Sequence, residues 1–277
     1  MIKLYQLIFL TLFISGCMIV PSLDKRNNTA EQLVDQHAWR KQVVKTVSFD
    51  LMSFVPSNPI KDSTLTVYIE GDGLAWISSR KPSSDPTPIN PVSLKLALNH
   101  PNSNVAYLAR PCQYLMDKLC ETKYWTSHRF SPEVINASNE AVERLKQQFS
   151  ATRLSLIGYS GGGAVATILA AQRDDVVKLI TVAGNIDHKA WTAFHHVSPL
   201  IGSLNSVDYQ KQLAKMEQVH FVGEDDTVIP PFLANDFVAD LPTTSNAKVI
   251  VVEDQTHDCC WESKWIHLLK SIDTLNY

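Results

Sequence analysis

The chain has 277 residues, of which 45% are hydrophobic, and this is enough for one sizeable domain around a well-buried core. Its formal net charge is −3 at pH 7. That balance lacks the excess of lysine and arginine with which proteins bind phosphate backbones, so we expect no nucleic-acid partner.

The N-terminus has the layout of a secretory signal peptide over 1–17, with Lys3 before an apolar stretch at 4–14. Its ending, Ile14-Ser15-Gly16-Cys17, resembles the lipobox of bacterial lipoproteins, which implies cleavage before Cys17 and a lipid on the Cys17 thiol. Met18 replaces the aspartate that favours the inner membrane in such lipoproteins, so the resemblance implies an outer-membrane anchor. The alternatives are an ordinary signal peptide cut nearby and a membrane-spanning anchor. The apolar stretch is shorter than the roughly 20 residues that a spanning helix needs.

Residues 18–42 are polar with little periodicity, which indicates a tether between the membrane and the domain. A strand predicted at 65–69 ends in Glu70-Gly71-Asp72-Gly73. A glycine-flanked turn in this place can direct backbone N–H groups toward a site above the sheet, although it also suits a simple turn. Residues 79–91 are rich in proline and serine, which predicts a surface loop.

Four further cysteines allow three disulfide pairings if the chain is exported to an oxidising compartment. Cys112 and Cys120 enclose a short segment and are the natural pair. Cys259 and Cys260 are adjacent, and three alternatives are open for them: a disulfide with each other, two reduced thiols, or pairing with other cysteines. His257 beside them suggests a metal ligand, but no second ligand cluster accompanies it, so we expect no metal.

The pattern Gly158-Tyr159-Ser160-Gly161-Gly162 stands between an apolar run at 154–157 and a helical run rich in alanine. A serine at such a sharp strand-to-helix turn has strained backbone geometry, and its hydroxyl projects above the sheet. The N-terminus of the helix places amide N–H groups and a positive dipole end beside that hydroxyl. A serine in a glycine-rich turn usually has only a structural role. The interpretation of Ser160 as a nucleophile therefore requires a base and an acid elsewhere in the chain.

Strands and helices alternate along the rest of the chain, which predicts an α/β fold: a mostly parallel central sheet with helices on both faces. The remaining predicted strands lie at 46–54, 105–109, 176–183, 219–222 and 248–252, and the remaining predicted helices lie at 92–99, 132–149, 232–241 and 261–272.

Residues 184–215 interrupt this alternation with short helical and loop-like pieces, which indicates a small lid over the site. His188, His195 and His196 in this stretch are weaker catalytic candidates, because surface or packing roles explain each of them. Aromatic side chains hint at an apolar pocket, although core packing would need them as well; they are Tyr114, Tyr124, Trp125 and Trp191.

A serine nucleophile needs a base, and the base needs an acid that fixes its tautomer. In a parallel sheet such groups gather at the carboxyl ends of the strands. Ser160 follows the strand at 154–157, an acidic run over 224–226 follows the strand at 219–222, and His257 follows the last strand.

The order serine, acid, histidine, together with Gly-x-Ser-x-Gly between strand and helix, resembles the alpha/beta-hydrolase fold family over about residues 45–277. The domain is accordingly placed at 43–277. In that family the acid often lies three residues after a glycine that ends its strand, which implies Asp226 after Gly223, with Asp225 as the alternative. The same resemblance implies His257 as the base.

The resemblance also implies an oxyanion hole built from the backbone N–H of Gly161 and a second N–H in the turn at 70–73. The family commonly has His-Gly at the start of that turn, whereas this chain has Glu70-Gly71, so the second donor is assigned to Asp72, with Gly73 as the alternative.

These observations predict a lipid-anchored serine hydrolase of the esterase, lipase or thioesterase type, acting on a small acyl substrate without a cofactor. Two alternatives stay open at this stage: a non-catalytic envelope lipoprotein that uses the fold as a binding scaffold, and a peptidase. The sequence does not identify protein partners.

Overall fold

The computed structural model describes residues 20–60, 62–101 and 104–273 of the chain. The strands β1 to β10 are Trp39–Lys45, Asp50–Pro56, Thr64–Ile69, Trp76–Ser78, Lys81–Pro82, Val105–Leu108, Arg153–Tyr159, Val176–Val182, Glu217–Gly223 and Ala247–Val252. The helices α1 to α8 are Leu23–Gln36, Val92–Leu98, Pro132–Phe149, Gly161–Gln172, His188–Phe194, Gln210–Leu213, Phe232–Ala239 and Trp261–Asp273. Two short 3₁₀ helices cover Thr122–Trp125 and Ser206–Tyr209.

The main sheet contains eight of the described strands, in the order β1-β2-β6-β3-β7-β8-β9-β10. Every neighbouring pair from β6 to β10 is parallel, whereas β1 and β2 join the sheet by antiparallel pairing. β4 and β5 form a separate two-stranded hairpin. The predicted mostly parallel α/β sheet is therefore confirmed.

Helices cover both faces of the sheet, and each face has its own apolar cluster. Side chains of α3, α4 and α7 pack on one face, and side chains of α1, α2 and α8 pack on the other. The first ten residues of α4 are all buried, because this helix lies against the middle of the sheet. Its glycine and alanine residues let it pack closely against β7 and β8.

The register of the parallel strands brings their carboxyl ends to one edge. Ile69 pairs with Gly158, Tyr159 with Val182, and Val182 with Phe221. The loops that follow β3, β7, β8, β9 and β10 consequently meet above the middle of the sheet, where ligands bind in open α/β folds.

The structure differs from the predicted tether at 18–42. Residues 23–36 form α1, which packs against the sheet through Ala30 and Val34, and residues 39–45 form β1. The guanidinium of Arg26 is buried and binds both Asp85 and the carbonyl of Thr87. An arginine occupies one of the three inward positions of α1, so its apolar stripe is too short to recognise in the sequence.

The predicted surface loop at 79–91 is also different in the structure. Its first part completes the β4–β5 hairpin, and Ser83, Asp85 and Thr87 are buried. The predicted signal peptide at 1–17, including Cys17, lies outside the described residues. Within the described part of the chain, no helix combines the length and the apolar composition that crossing a membrane requires.

Candidate active site

Ser160 occupies a strained turn between β7 and α4, with φ 51° and ψ −122°. Positive φ is uncommon for a residue with a side chain, and here it lifts the serine away from the sheet. At the two glycines of Gly-x-Ser-x-Gly there is no space for a side chain. A Cβ on Gly158 would stand 2.2 Å from the carbonyl oxygen of Gly162, and one on Gly162 would stand 2.3 Å from that of Ile69. The predicted strand-to-helix turn is therefore present.

A chain of hydrogen bonds links Ser160 to an acid through His257. The Nε2 of His257 lies 3.0 Å from Ser160 Oγ, and its Nδ1 lies 2.9 Å from Asp226 Oδ2. The other oxygen of Asp226 accepts the backbone N–H groups of Val228 and Ile229 at 2.8 Å. The side chain of Asp226 has no exposed surface, so these contacts hold its carboxylate in one orientation.

Two side chains donate hydrogen bonds to the backbone carbonyl of His257 and so fix the loop that carries it. The Nε1 of Trp261 donates to the carbonyl oxygen of His257 at 2.9 Å. The hydroxyl of Tyr159 lies 3.1 Å from the same oxygen and 2.9 Å from Asp258 Oδ1. A disulfide joins Cys259 and Cys260 just beyond this point.

The turn after β3 lies against the turn at Ser160. A Cβ on Gly71 would stand 3.1 Å from the Cβ of Ser160, and one on Gly161 would stand 2.2 Å from Asp72 Oδ1. The two predicted oxyanion donors, Gly161 and Asp72, thus belong to segments in direct contact. The N–H of Gly71 is engaged by Glu70 Oε1 at 2.9 Å, which leaves Asp72 and Gly73 as the candidates within the turn.

A cavity of about 930 Å³ opens above Ser160 and His257. Its wall is mainly apolar and comes from the turn after β3, the segment before α2, the region around α5 and the loop after β9; the apolar side chains are Leu74, Ala75, Trp76, Pro88, Ile89, Trp191, Val197, Pro199, Leu200, Val228 and Ile229. The volume is sufficient for a small organic ligand.

The model of the family described as "Serine hydrolase (FSH1)" matches residues 92–258, more than half of the chain. The chain belongs to the FSH1 serine hydrolase family. The matched range includes Ser160, Asp226 and His257. No curated protein matches this serine hydrolase.

Solved structures of alpha/beta hydrolases share its fold. An alpha-beta serine hydrolase homologue from Coxiella burnetii has a TM-score of 0.56 and 14% identity, over 84% of this chain and 94% of its own. Est1E from Butyrivibrio proteoclasticus has a TM-score of 0.60 and 14% identity, over 84% of this chain and 97% of its own. The acylaminoacyl peptidase of Pyrococcus horikoshii has a TM-score of 0.62 and 14% identity, over 84% of this chain and 39% of its own.

Several residues that the sequence analysis weighed lie elsewhere in the hydrolase. Asp225 is exposed, whereas its neighbour Asp226 contacts His257. His195 binds the carbonyl of Val228 through Nε2. Neither His195 nor His188 nor His196 lines the cavity. Of the four aromatic residues that hinted at a pocket, Trp191 alone lines it; Trp125 and Tyr114 are buried in the core and Tyr124 packs against Phe49.

Two arginines and one glutamate beside the site have contacts that the sequence analysis did not predict: Arg110, Arg129 and Glu70. Asp72 is bound through Oδ1 by Arg110 Nη1 at 3.3 Å and through Oδ2 by Arg129 Nη1 at 2.6 Å. Both guanidiniums are almost fully buried. Burial is the main cause that lowers the pKa of Arg110 to about 10. No motif links these positions, which lie 38 and 57 residues from Asp72 along the chain.

Glu70 is the third such residue, and it is fully buried at the base of the cavity. Its carboxyl group accepts hydrogen bonds from Gly71 N–H, Ser93 N–H and the hydroxyl of Tyr107. Burial raises its pKa to about 7, because those hydrogen bonds offset the loss of water only in part. In the described part of the hydrolase, no group of three or more His, Cys, Asp or Glu side chains is arranged to hold a metal ion.

Proposed function

We propose that this hydrolase cleaves a carboxylic ester or thioester through an acyl-enzyme on Ser160. The observation that carries the proposal is the unbroken pair of hydrogen bonds from Ser160 Oγ through the imidazole of His257 to Asp226, at the floor of an open cavity. Asp226 keeps the proton on Nδ1, so Nε2 is free to accept the serine proton.

In the first step Ser160 Oγ attacks the acyl carbonyl carbon while His257 Nε2 takes its proton. The negative oxygen that forms is stabilised by the N–H of Gly161 and the N–H of Asp72. The loss of one such donor costs about 3 kcal/mol of transition-state stabilisation in related chemistry. His257 then gives the proton to the departing alcohol or thiol, and the acyl group remains on Ser160.

In the second step a water molecule replaces the leaving group. His257 removes its proton, the water oxygen attacks the acyl carbon, and Ser160 leaves with the proton that His257 returns. The free acid is the second product. The apolar part of the cavity wall supports an acyl group of hydrocarbon character, because apolar surface on both partners leaves water when such a group binds there.

The test is the Ser160→Ala variant. We expect it to lose both the hydrolysis of short-chain esters and labelling by a fluorophosphonate, while the exposed Ser57→Ala variant keeps both. Ester turnover that survives in Ser160→Ala would contradict the mechanism. A panel of acyl esters, acyl thioesters and acyl anilides then identifies the bond, and preference for the anilides would mean a peptidase.

We also propose that the hydrolase is exported and anchored to the outer membrane by a lipid on Cys17. The N-terminal sequence supports this proposal, and the disulfide between Cys112 and Cys120 suits an oxidising compartment. Cells fed an alkyne-tagged fatty acid should tag the wild-type chain and the Cys260→Ala variant. The Cys17→Ala variant should remain untagged, and an equal tag on it would contradict the anchor.

A further inference from the structure

The mouth of the cavity is surrounded by exposed apolar side chains. Trp76, Ile89 and Val228 line the cavity and are also 43%, 44% and 43% exposed, so they stand where the cavity meets solvent. Ile201 follows the lining residue Leu200 and is 84% exposed. We call the part of this set on the side of the β4–β5 hairpin and the region around α5 the apolar rim; Trp76, Ile89 and Val197 in it line the cavity, and Ile77 and Ile201 directly follow the lining residues Trp76 and Leu200. Exposed apolar side chains gathered in one place mark an interaction surface.

The β4–β5 hairpin adds positive charge to one side of the rim. Trp76 and Ile77 belong to β4, the turn that follows carries Arg80, and β5 begins at Lys81; both cations are exposed. Neither cation forms an ion pair with a described residue. Tryptophan and an aliphatic residue beside two cations suit the interface of a phospholipid bilayer, where rings enter the headgroup layer and cations meet phosphate.

Acidic side chains lie on the other side of the mouth. Asp258 lines the cavity there, and Asp225 is exposed in the loop after β9. This separation of charge favours contact with anionic headgroups on the hairpin side and disfavours it on the side of β9 and β10.

The N-terminal end of the described chain lies close to the same mouth. Arg26, in the first turn of α1, binds Asp85 and the carbonyl of Thr87, and Thr87 is two residues before Ile89 of the apolar rim. Leu23, where α1 begins, is six positions after Cys17. Six steps along the chain span at most about 20 Å, so a lipid on Cys17 would keep this mouth near the bilayer.

We propose that the apolar rim and the β4–β5 hairpin dock on an anionic phospholipid bilayer and turn the mouth of the Ser160 cavity toward the lipid. This contact is separate from the N-terminal anchor, since it uses folded residues at the carboxyl edge of the sheet. An acyl lipid then passes from the bilayer into the apolar cavity without crossing water. The docking does not depend on the ester chemistry, so its test needs no turnover.

The experiment places an environment-sensitive fluorophore at single positions of the purified full chain. Ile77→Cys and Ile201→Cys probe the apolar rim. Ile60→Cys and Val177→Cys are matched controls, because both residues are exposed aliphatic side chains at the opposite, amino-terminal edge of the sheet. The unsubstituted chain, treated with the same dye, measures labelling of the native cysteines.

Each labelled chain is incubated with vesicles of phosphatidylcholine and phosphatidylglycerol that carry spin-labelled acyl chains. We expect quenching of the dye at positions 77 and 201 and none at 60 and 177. Unquenched dye at 77 and 201 would overturn the proposal, as would equal quenching at all four positions. A blue shift at position 77 before vesicles are added would instead assign the apolar rim to contact between two copies of the chain.

The charged turn is tested in the same assay. Replacing both cations, Arg80→Gln with Lys81→Gln, should reduce the ratio of docked to undocked chain by about 30-fold, from roughly 1 kcal/mol for each cation near an anionic surface. The matched control replaces Lys211 in α6 and Lys215 before the start of β9 with glutamine; both are exposed, and this double variant should leave the ratio unchanged. An equal effect of the two double variants would contradict docking through the hairpin.

Discussion

Asp226 Oδ2 and His257 Nδ1 are 2.9 Å apart, and this one contact decides which nitrogen of the imidazole faces Ser160. Because Asp226 is fully buried and its other oxygen is held by two backbone N–H groups, it can accept only from the protonated Nδ1. The unprotonated Nε2 is then directed at the serine hydroxyl.

Replacing this acid should disable the serine without unfolding the chain. An amide in Asp226→Asn can donate to Nδ1 and so favours the wrong tautomer, and we expect kcat for a short-chain ester to fall about 10⁴-fold, as in related triads. The control is Asp225→Asn, whose exposed side chain lies away from His257 and which should retain kcat. Similar losses in the two variants would count against the assigned acid.

Glu70 should make the stability of the hydrolase depend on pH. Its pKa is about 7 in the folded chain and 4.5 in the unfolded reference, so between these values the unfolded state releases a proton that the folded state keeps. The free energy of unfolding should therefore fall as pH rises from 4.5 to 7, by about 3 kcal/mol, and change little from this cause above pH 7.

Glu70→Gln should remove this dependence, because its side chain does not titrate. Urea unfolding across that pH range measures the effect, with the exposed Glu224→Gln as the control that retains the wild-type slope. A wild-type slope in Glu70→Gln would show that another group is responsible.

Asp72 should contribute to stability through the two guanidiniums that it neutralises. Asp72→Asn leaves Arg110 and Arg129 buried without a counter-charge, and we expect a loss of about 3–5 kcal/mol in the free energy of unfolding. Asp208 is the control, since its contact with Lys189 at 3.5 Å is mostly exposed and Asp208→Asn should cost less than about 1 kcal/mol. Equal losses in denaturant unfolding would contradict the role of burial.

The disulfide between Cys112 and Cys120 should stabilise the fold by restricting the unfolded chain. The two residues are eight positions apart, and closing so small a loop is worth about 2.5 kcal/mol on the chain-entropy model. We expect the double variant Cys112→Ala with Cys120→Ala to lose this amount in urea unfolding. The disulfide between the adjacent Cys259 and Cys260 closes no comparable loop, so replacing both of these cysteines with alanine should lower the free energy of unfolding by less.

The sequence by itself determined the α/β class, the strand-to-helix turn at Ser160 and the order of serine, acid and histidine along the chain. These features are local or depend on order alone. Apolar runs form buried strands, and the close backbone contacts around the turn at Ser160 leave no space for a Cβ at Gly158 and Gly162.

Only the tertiary structure decided which acid meets His257, that α1 belongs to the domain, and that Asp72 is neutralised by Arg110 and Arg129. Each of these depends on side chains far apart in sequence, whose burial and pairing follow from how the helices and loops pack on the sheet. Arg26 is the clearest example. From the sequence of the helix alone, an arginine predicts a solvated side chain. In the structure it is buried, because Asp85, 59 residues away, neutralises its charge.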